Sequence, residues 1–100
     1  MSKERTHLSL RFDPGTGTSH DVTEELYHKK EEIRAILDGY NGNGCIVKYS
    51  NLTPEIEHGG KTSGHIKTEI TARGPYSDIQ QLEQDLRNTG CNITMPSFKK

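Results

Sequence analysis

The sequence predicts an α+β sandwich, a four-stranded antiparallel sheet with two helices on one face, in the order β-α-β-β-α-β. Three observations predict it. In Asp21–Tyr40 the apolar residues Val22, Leu26, Ile33, Ile36, Leu37 and Tyr40 recur at helical spacing. Thr6–Phe12 and His65–Ala72 alternate apolar and polar residues with a period of two, the pattern of half-buried strands. Ile79, Leu82 and Leu86 form a second, shorter helical stripe.

Taken in order, Leu8, Leu10 and Phe12 of the first strand share one face, with His7, Ser9 and Arg11 on the other. Asp13–His20 is a loop by composition, with Pro14, Gly15 and Gly17 as breakers. The long helix starts near Ser19 or Asp21, capped by Thr18 over Asp21 or by an Asp21–Glu24 capping box. Its outer face carries Glu24, Glu25, Lys29, Lys30, Glu31, Glu32 and Arg34, with Glu25 and Lys29 set for an i,i+4 pair. Gly39, Asn41, Gly42, Asn43 and Gly44 end it. Cys45–Asn51 is the second strand, with Cys45, Val47 and Tyr49 inward and Ile46, Lys48 and Ser50 outward. Pro54 turns the stretch after it into an edge strand or a loop. His58–Gly64 is a hairpin tip longer than a two-residue turn, and His65–Ala72 is the third strand. After Gly74-Pro75, Ser77 with Gln80 forms a capping box for the second helix, and Gly90 lies just past its end. Cys91, Ile93 and Met95 alternate as a fourth strand, closed by Pro96.

This element order resembles the ferredoxin-like superfold, which implies strand order 4-1-3-2 and right-handed crossovers. The likeness is one of element order and carries no sequence signature, and that fold hosts many unrelated functions. It places Cys45 and Cys91 on opposite sheet edges, so an intrachain disulfide between them would contradict it.

One hundred residues make one domain, 1–100, with disordered ends expected at about 1–5 and 97–100. The hydrophobic fraction is 29%. Even with glycine added it falls below the usual range of about 45–50%. The core is therefore thin, and self-association is one way to add stability. The formal net charge of −1 argues against a nucleic-acid partner, because phosphate contacts demand basic surface. There is no apolar run long enough for a membrane span and no signal peptide, so the expected location is cytoplasmic. Two cysteines are too few for a disulfide framework.

Candidate sites lie on these elements. The outward face of the central strands presents His7, Ser9, Arg11, Lys67, Glu69 and Thr71, with no aromatic ring for base stacking. It reads as a solvated polar face or part of an interface. The loop before the long helix, with Gly15, Gly17, Ser19 and His20, sits at a helix N-terminus that favours anions; Arg11 and Lys61 would add charge. Gly59-Gly60-Lys61-Thr62-Ser63 lacks the first glycine of a phosphate-binding loop, having Glu55 there, and precedes a strand. Ile46, Leu52, Ile56, His58, Lys61 and His65 make the hairpin and its edge a candidate partner interface. His58 and His65 lack metal-ligand spacing, no cofactor motif is present, and neither cysteine stands in a nucleophile pattern. The expectation is a non-enzymatic binding or adaptor domain acting through protein contacts, self-associating. The alternatives are a sensor or sequestering protein for a small nucleotide-like anion and, third, a nucleic-acid-binding accessory protein.

Overall fold

The computed structural model describes residues 4–42 and 44–94. Its elements are β1 (Glu4–Phe12), β2 (Thr16–Gly17), α1 (Ser19–Tyr40), β3 (Ile46–Tyr49), β4 (Glu55–Gly59), β5 (Lys61–Gly74), α2 (Tyr76–Asn88) and β6 (Asn92–Thr94). The fold is α+β, with two helices and one antiparallel sheet of six strands rather than four. Within the end expected to be disordered, Glu4 and Arg5 pair with Gly74 and Arg73, and residues 1–3 lie outside the described residues. Met95 and the expected tail at 97–100 lie outside the described residues.

β5 organises the sheet. Its second half pairs with β1, from Glu4↔Gly74 to Phe12↔Ile66, and also with β3, from Ile46↔Arg73 to Tyr49↔Ile70. β1 and β3 therefore flank it, and β6 adds outside β1 through Leu10↔Ile93. The first half of β5 pairs with β2 (Gly17↔Thr62) and with β4 (Glu55↔His65 to Gly59↔Lys61). Three residues separate Phe12 from Thr16, too short a chain to cross over β5, so β2 prolongs the β1 side. β4 accordingly takes the β3 side. The two extra strands arise where Asp13–Gly15 and Ser50–Pro54 interrupt long pairings.

The tip expected over His58–Gly64 is much tighter. Pairing continues to Gly59↔Lys61, and Gly60 alone reverses the chain at φ 64, a conformation open to glycine. Residues 55–65 thus form a paired arm. Gly64 lets α1 lie close to it, because a Cβ there would stand 2.7 Å from both Leu26 Cδ1 and the Glu55 carbonyl oxygen.

Both helices cover one sheet face. Leu8, Leu10, Ile66 and Ile70 of the sheet, Leu26, Ile33 and Leu37 of α1, and Leu82 and Leu86 of α2 are all essentially inaccessible and form one cluster. Each such side chain contributes about 1.5–3 kcal/mol relative to exposure. Thr68 is buried among them, and its hydroxyl donates to the Ser50 carbonyl at 3.1 Å, which removes the penalty of an unmet polar group. The apolar stripe of α1 skips one turn between Leu26 and Ile33, and Lys29 fills it. Its side chain is only 16% exposed, its ammonium donates to the Thr89 carbonyl at 2.7 Å and to Glu32 at 2.9 Å, and it lies over the Phe12 ring. Lys29 therefore ties α1 to the end of α2 instead of standing on the outer face paired with Glu25, because its long apolar stem buries while its charge is met.

The termini correct several local expectations. Thr18 caps α1 by accepting from the Asp21 amide at 3.2 Å, the first of the two expected arrangements. Gly39 stays inside the helix, which ends at Tyr40, and the chain turns at Gly42 and Gly44 with φ 98 and 85. Pro75, not Ser77, occupies the N-cap of α2: its carbonyl accepts from Asp78 and Ile79 amides at 3.1 Å, and no side chain caps the helix. A proline there loses no needed donor. Gly90 comes after the C-cap Thr89 at φ 91.

Candidate binding face

The sheet surface away from the helices is covered by no other described element. The registers order it in rows that run from β3 across β5 to β1. The first row is Ile46, Arg73 and Arg5; the second is Lys48, Thr71 and His7. In the third, Ser50 donates its amide to the Glu69 carbonyl, Ser9 lies opposite Glu69, and Thr94 lies beyond it. The fourth holds Lys67, Arg11 and Asn92. On the arm the same face carries Glu55, His65, Glu57, Ser63 and Lys61. Cations therefore predominate over the core of the sheet, while the arm is mixed, with Glu55 and Glu57 beside His65 and Lys61. Arg11 is held by Asp13 at 2.7 Å, and this hydrogen bond keeps its guanidinium above its ordinary pKa. Arg5, Lys48 and Arg73 form no ion pair among the described residues.

Glu69 is the one carboxylate within these core rows. Ser9 Oγ donates to it at 2.9 Å and the His7 ring nitrogen meets it at 2.5 Å. Those contacts, Ser9 first and His7 second, hold Glu69 below the usual carboxylate range. Serine, histidine and glutamate converge here, but both partners turn to the carboxylate. A serine nucleophile needs its proton directed at the histidine, and this arrangement directs it elsewhere.

The residues singled out from sequence fall in three places. Arg11 lies on the open face, paired to Asp13. Gly17 pairs with Thr62 near the tip of the arm and leads into Ser19 and His20 at the start of α1, whereas Lys61, in phase with Ser63 and His65, stands on the open face and is not brought to them. His20 contacts Glu24 at 3.5 Å, and Gly15 is an exposed turn residue at φ 97. Of the interface residues, Ile46 is 55% exposed on the open face, but Leu52 is buried in the core and is removed from any partner surface. Burying a leucine in the gap between β3 and β4 outweighs leaving it in solvent. Ile56 is partly buried against the same core. His58 pairs with Thr62, its ring nitrogen 3.3 Å from the threonine hydroxyl, and His65 contacts Glu55 at 3.1 Å. The two histidines are thus not cross-strand partners.

Sequence reading missed Arg5 and Arg73, because both fell just beyond the expected strand ends. The signal was present: Arg5 is in phase with His7, Ser9 and Arg11, and Arg73 with Lys67, Glu69 and Thr71. On the helical side, a shallow groove between the helices is lined by Ala35, Ile36, Gly39, Tyr40, Asp78 and Asp85. The Tyr40 hydroxyl donates to Asp85 at 2.6 Å, and burial followed by this bond pushes its pKa up to about 12. Both cysteines are buried, and burial pushes the Cys91 thiol up, away from thiolate chemistry. No described helix is long and apolar enough to cross a membrane.

No protein-family model matches the chain, and no curated protein matches it. Solved structures do. A tripeptidase from Staphylococcus aureus is similar, with TM-score 0.63 and 10% identity over 94% of this chain and 29% of that one. A hydantoinase/carbamoylase family amidase from Burkholderia ambifaria gives TM-score 0.53 and 10% identity over 93% of this chain and 27% of the amidase. The chain spans under a third of either protein, and at such identity the likeness is one of fold alone.

Proposed function

We propose that this chain is a non-enzymatic binding domain on a ferredoxin-like core, and that its open sheet face receives an anionic partner surface. The observation that supports this reading is the segregation of charge. The chain as a whole carries net −1. Yet Arg5, Arg11, Lys48, Lys67 and Arg73 share the open face of the sheet core with Glu69, while on the helices the acids, among them Glu24, Glu25, Glu31, Glu32, Asp38, Asp78 and Asp85, outnumber the bases Lys29, Lys30, Arg34 and Arg87. Such separation makes a field that attracts an anionic surface to one side although the average charge is near zero. The ferredoxin-like assignment is supported by the β6-β1-β5-β3 order once β2 and β4 are taken as prolongations of β1 and β3.

Retention on a heparin matrix at neutral pH and low salt tests the reading. A chain with sequence pI near 6.5 and evenly spread charge passes through. The segregated face predicts retention of the native chain and passage of a Lys48→Glu/Arg73→Glu variant. Flow-through of the native chain would remove the reading.

A further inference from the structure

We infer that the anionic partner is the sugar–phosphate backbone of a nucleic acid, held by Arg5, Arg73 and Lys48 at one end of the open face and by Lys67 and Arg11 at the other. The inference rests on the proposed function and narrows it. Its first support is the pairing of like charges. Arg5 stands directly opposite Arg73, and Arg11 directly opposite Lys67. Cross-strand pairs of like charge are destabilising, and random placement on a chain with slightly more acids than bases would rarely produce two. Asp13 relieves Arg11, and Glu69 acts electrostatically with Lys67. Nothing among the described residues relieves Arg5, Lys48 or Arg73. An external anion does.

The second support is spacing. Arg73 lies six residue steps beyond Lys67 on an extended strand, which is roughly 20 Å. A nucleic-acid strand presents a charge about every 3.4 Å, so it meets both ends of the face whatever its register. A folded acidic protein would need carboxylates placed at that one separation. The third support is the chemistry between the ends, where Thr71 and Thr94 offer hydroxyls and no described residue of these rows is Phe, Tyr or Trp. Phosphates and sugars are then contacted without base stacking, so binding is independent of sequence. Glu69 repels phosphate midway along the face, so the contacts fall at its two cationic ends, and Glu55 and Glu57 weaken contact on the arm.

Fluorescence anisotropy of the full chain tests this, with a labelled mixed-sequence DNA duplex, a single strand of the same sequence, its RNA counterpart, and poly-L-glutamate as competitor. The expected result is saturable binding with a log–log salt slope of about −3, unmoved by a change of sequence. Arg73→Glu should weaken binding about tenfold or more and flatten the slope by at least about 1. Arg34→Glu on α1 makes the same change in net charge and should leave binding within about twofold. Because Arg73→Glu replaces a repulsion with an attraction opposite Arg5, its melting temperature should not fall, which separates lost binding from lost folding. Heparin retention without binding to any nucleic acid would overturn the inference and leave the proposed function standing. Competition by poly-L-glutamate as strong as by nucleic acid would overturn it in favour of an acidic protein surface. A concentration-dependent dimer that Arg73→Glu abolishes, with no nucleic-acid binding, would overturn it in favour of a second copy.

Discussion

Glu69 accepts from Ser9 and meets His7, and both interactions favour its charged form. Its folded-state pKa is therefore depressed, which fixes the sign of the stability effect. The contribution is complete above the unfolded carboxylate value of about 4.3 and is lost as pH falls through the lower folded value. Its side chain is 47% exposed, so water screens the effect and the gain is small. The difference in urea midpoint between the native chain and Glu69→Gln should be present at neutral pH and shrink below pH of about 4. A difference that stays constant across this range would mean that the Ser9–His7 contacts do not stabilise the carboxylate. The outward direction of these three residues was legible in the alternation of their strands. Their meeting was not, because it depends on the register between β1 and β5.

The β4–β5 arm shows how an element depends on a single missing side chain. Its pairing is continuous to Gly59↔Lys61, and α1 packs onto it through Leu26 where Gly64 has no Cβ. Leu26 can shift by a rotamer, but the Glu55 carbonyl belongs to the backbone of the arm. Gly64→Ala should therefore destabilise the chain by about 1–3 kcal/mol in urea titration. Gly59→Ala, whose added Cβ meets nothing within 4 Å, should stay within about 0.5 kcal/mol. Equal effects of the two would show that the arm does not pack on α1 in solution. Gly64 read from sequence is one glycine among several in a turn-like stretch. Only the approach of α1 distinguishes it.

For the whole molecule, the strand order separates the two cysteines. Cys45 immediately precedes β3 at one edge of the sheet, and Cys91 precedes β6 at the other. Both thiols are buried. Thiol titration should find both slow to react in the native chain and fast together in denaturant, with no intrachain disulfide after mild oxidation. A bridged product would be incompatible with this strand order. The same order collects cations from β1, β3 and β5 on one surface while α1 and α2 carry most of the acids. Near-neutral composition therefore concealed a polar separation of charge.

The local periods of the sequence determined the kinds of element, because a period of 3.6 or 2 is a property of neighbouring residues. They also determined which residues of each long element face the core: Leu8, Leu10, Ile66 and Ile70 on the strands, Leu26, Ile33 and Leu37 on α1. Pairing across the chain decided the rest. It extended β1 to Glu4 and β5 from Lys61 to Gly74, drew Leu52 and Lys29 inward, and set Arg5 opposite Arg73. These are contacts between residues distant in sequence, and their energies come from burial and hydrogen bonding that no local window contains.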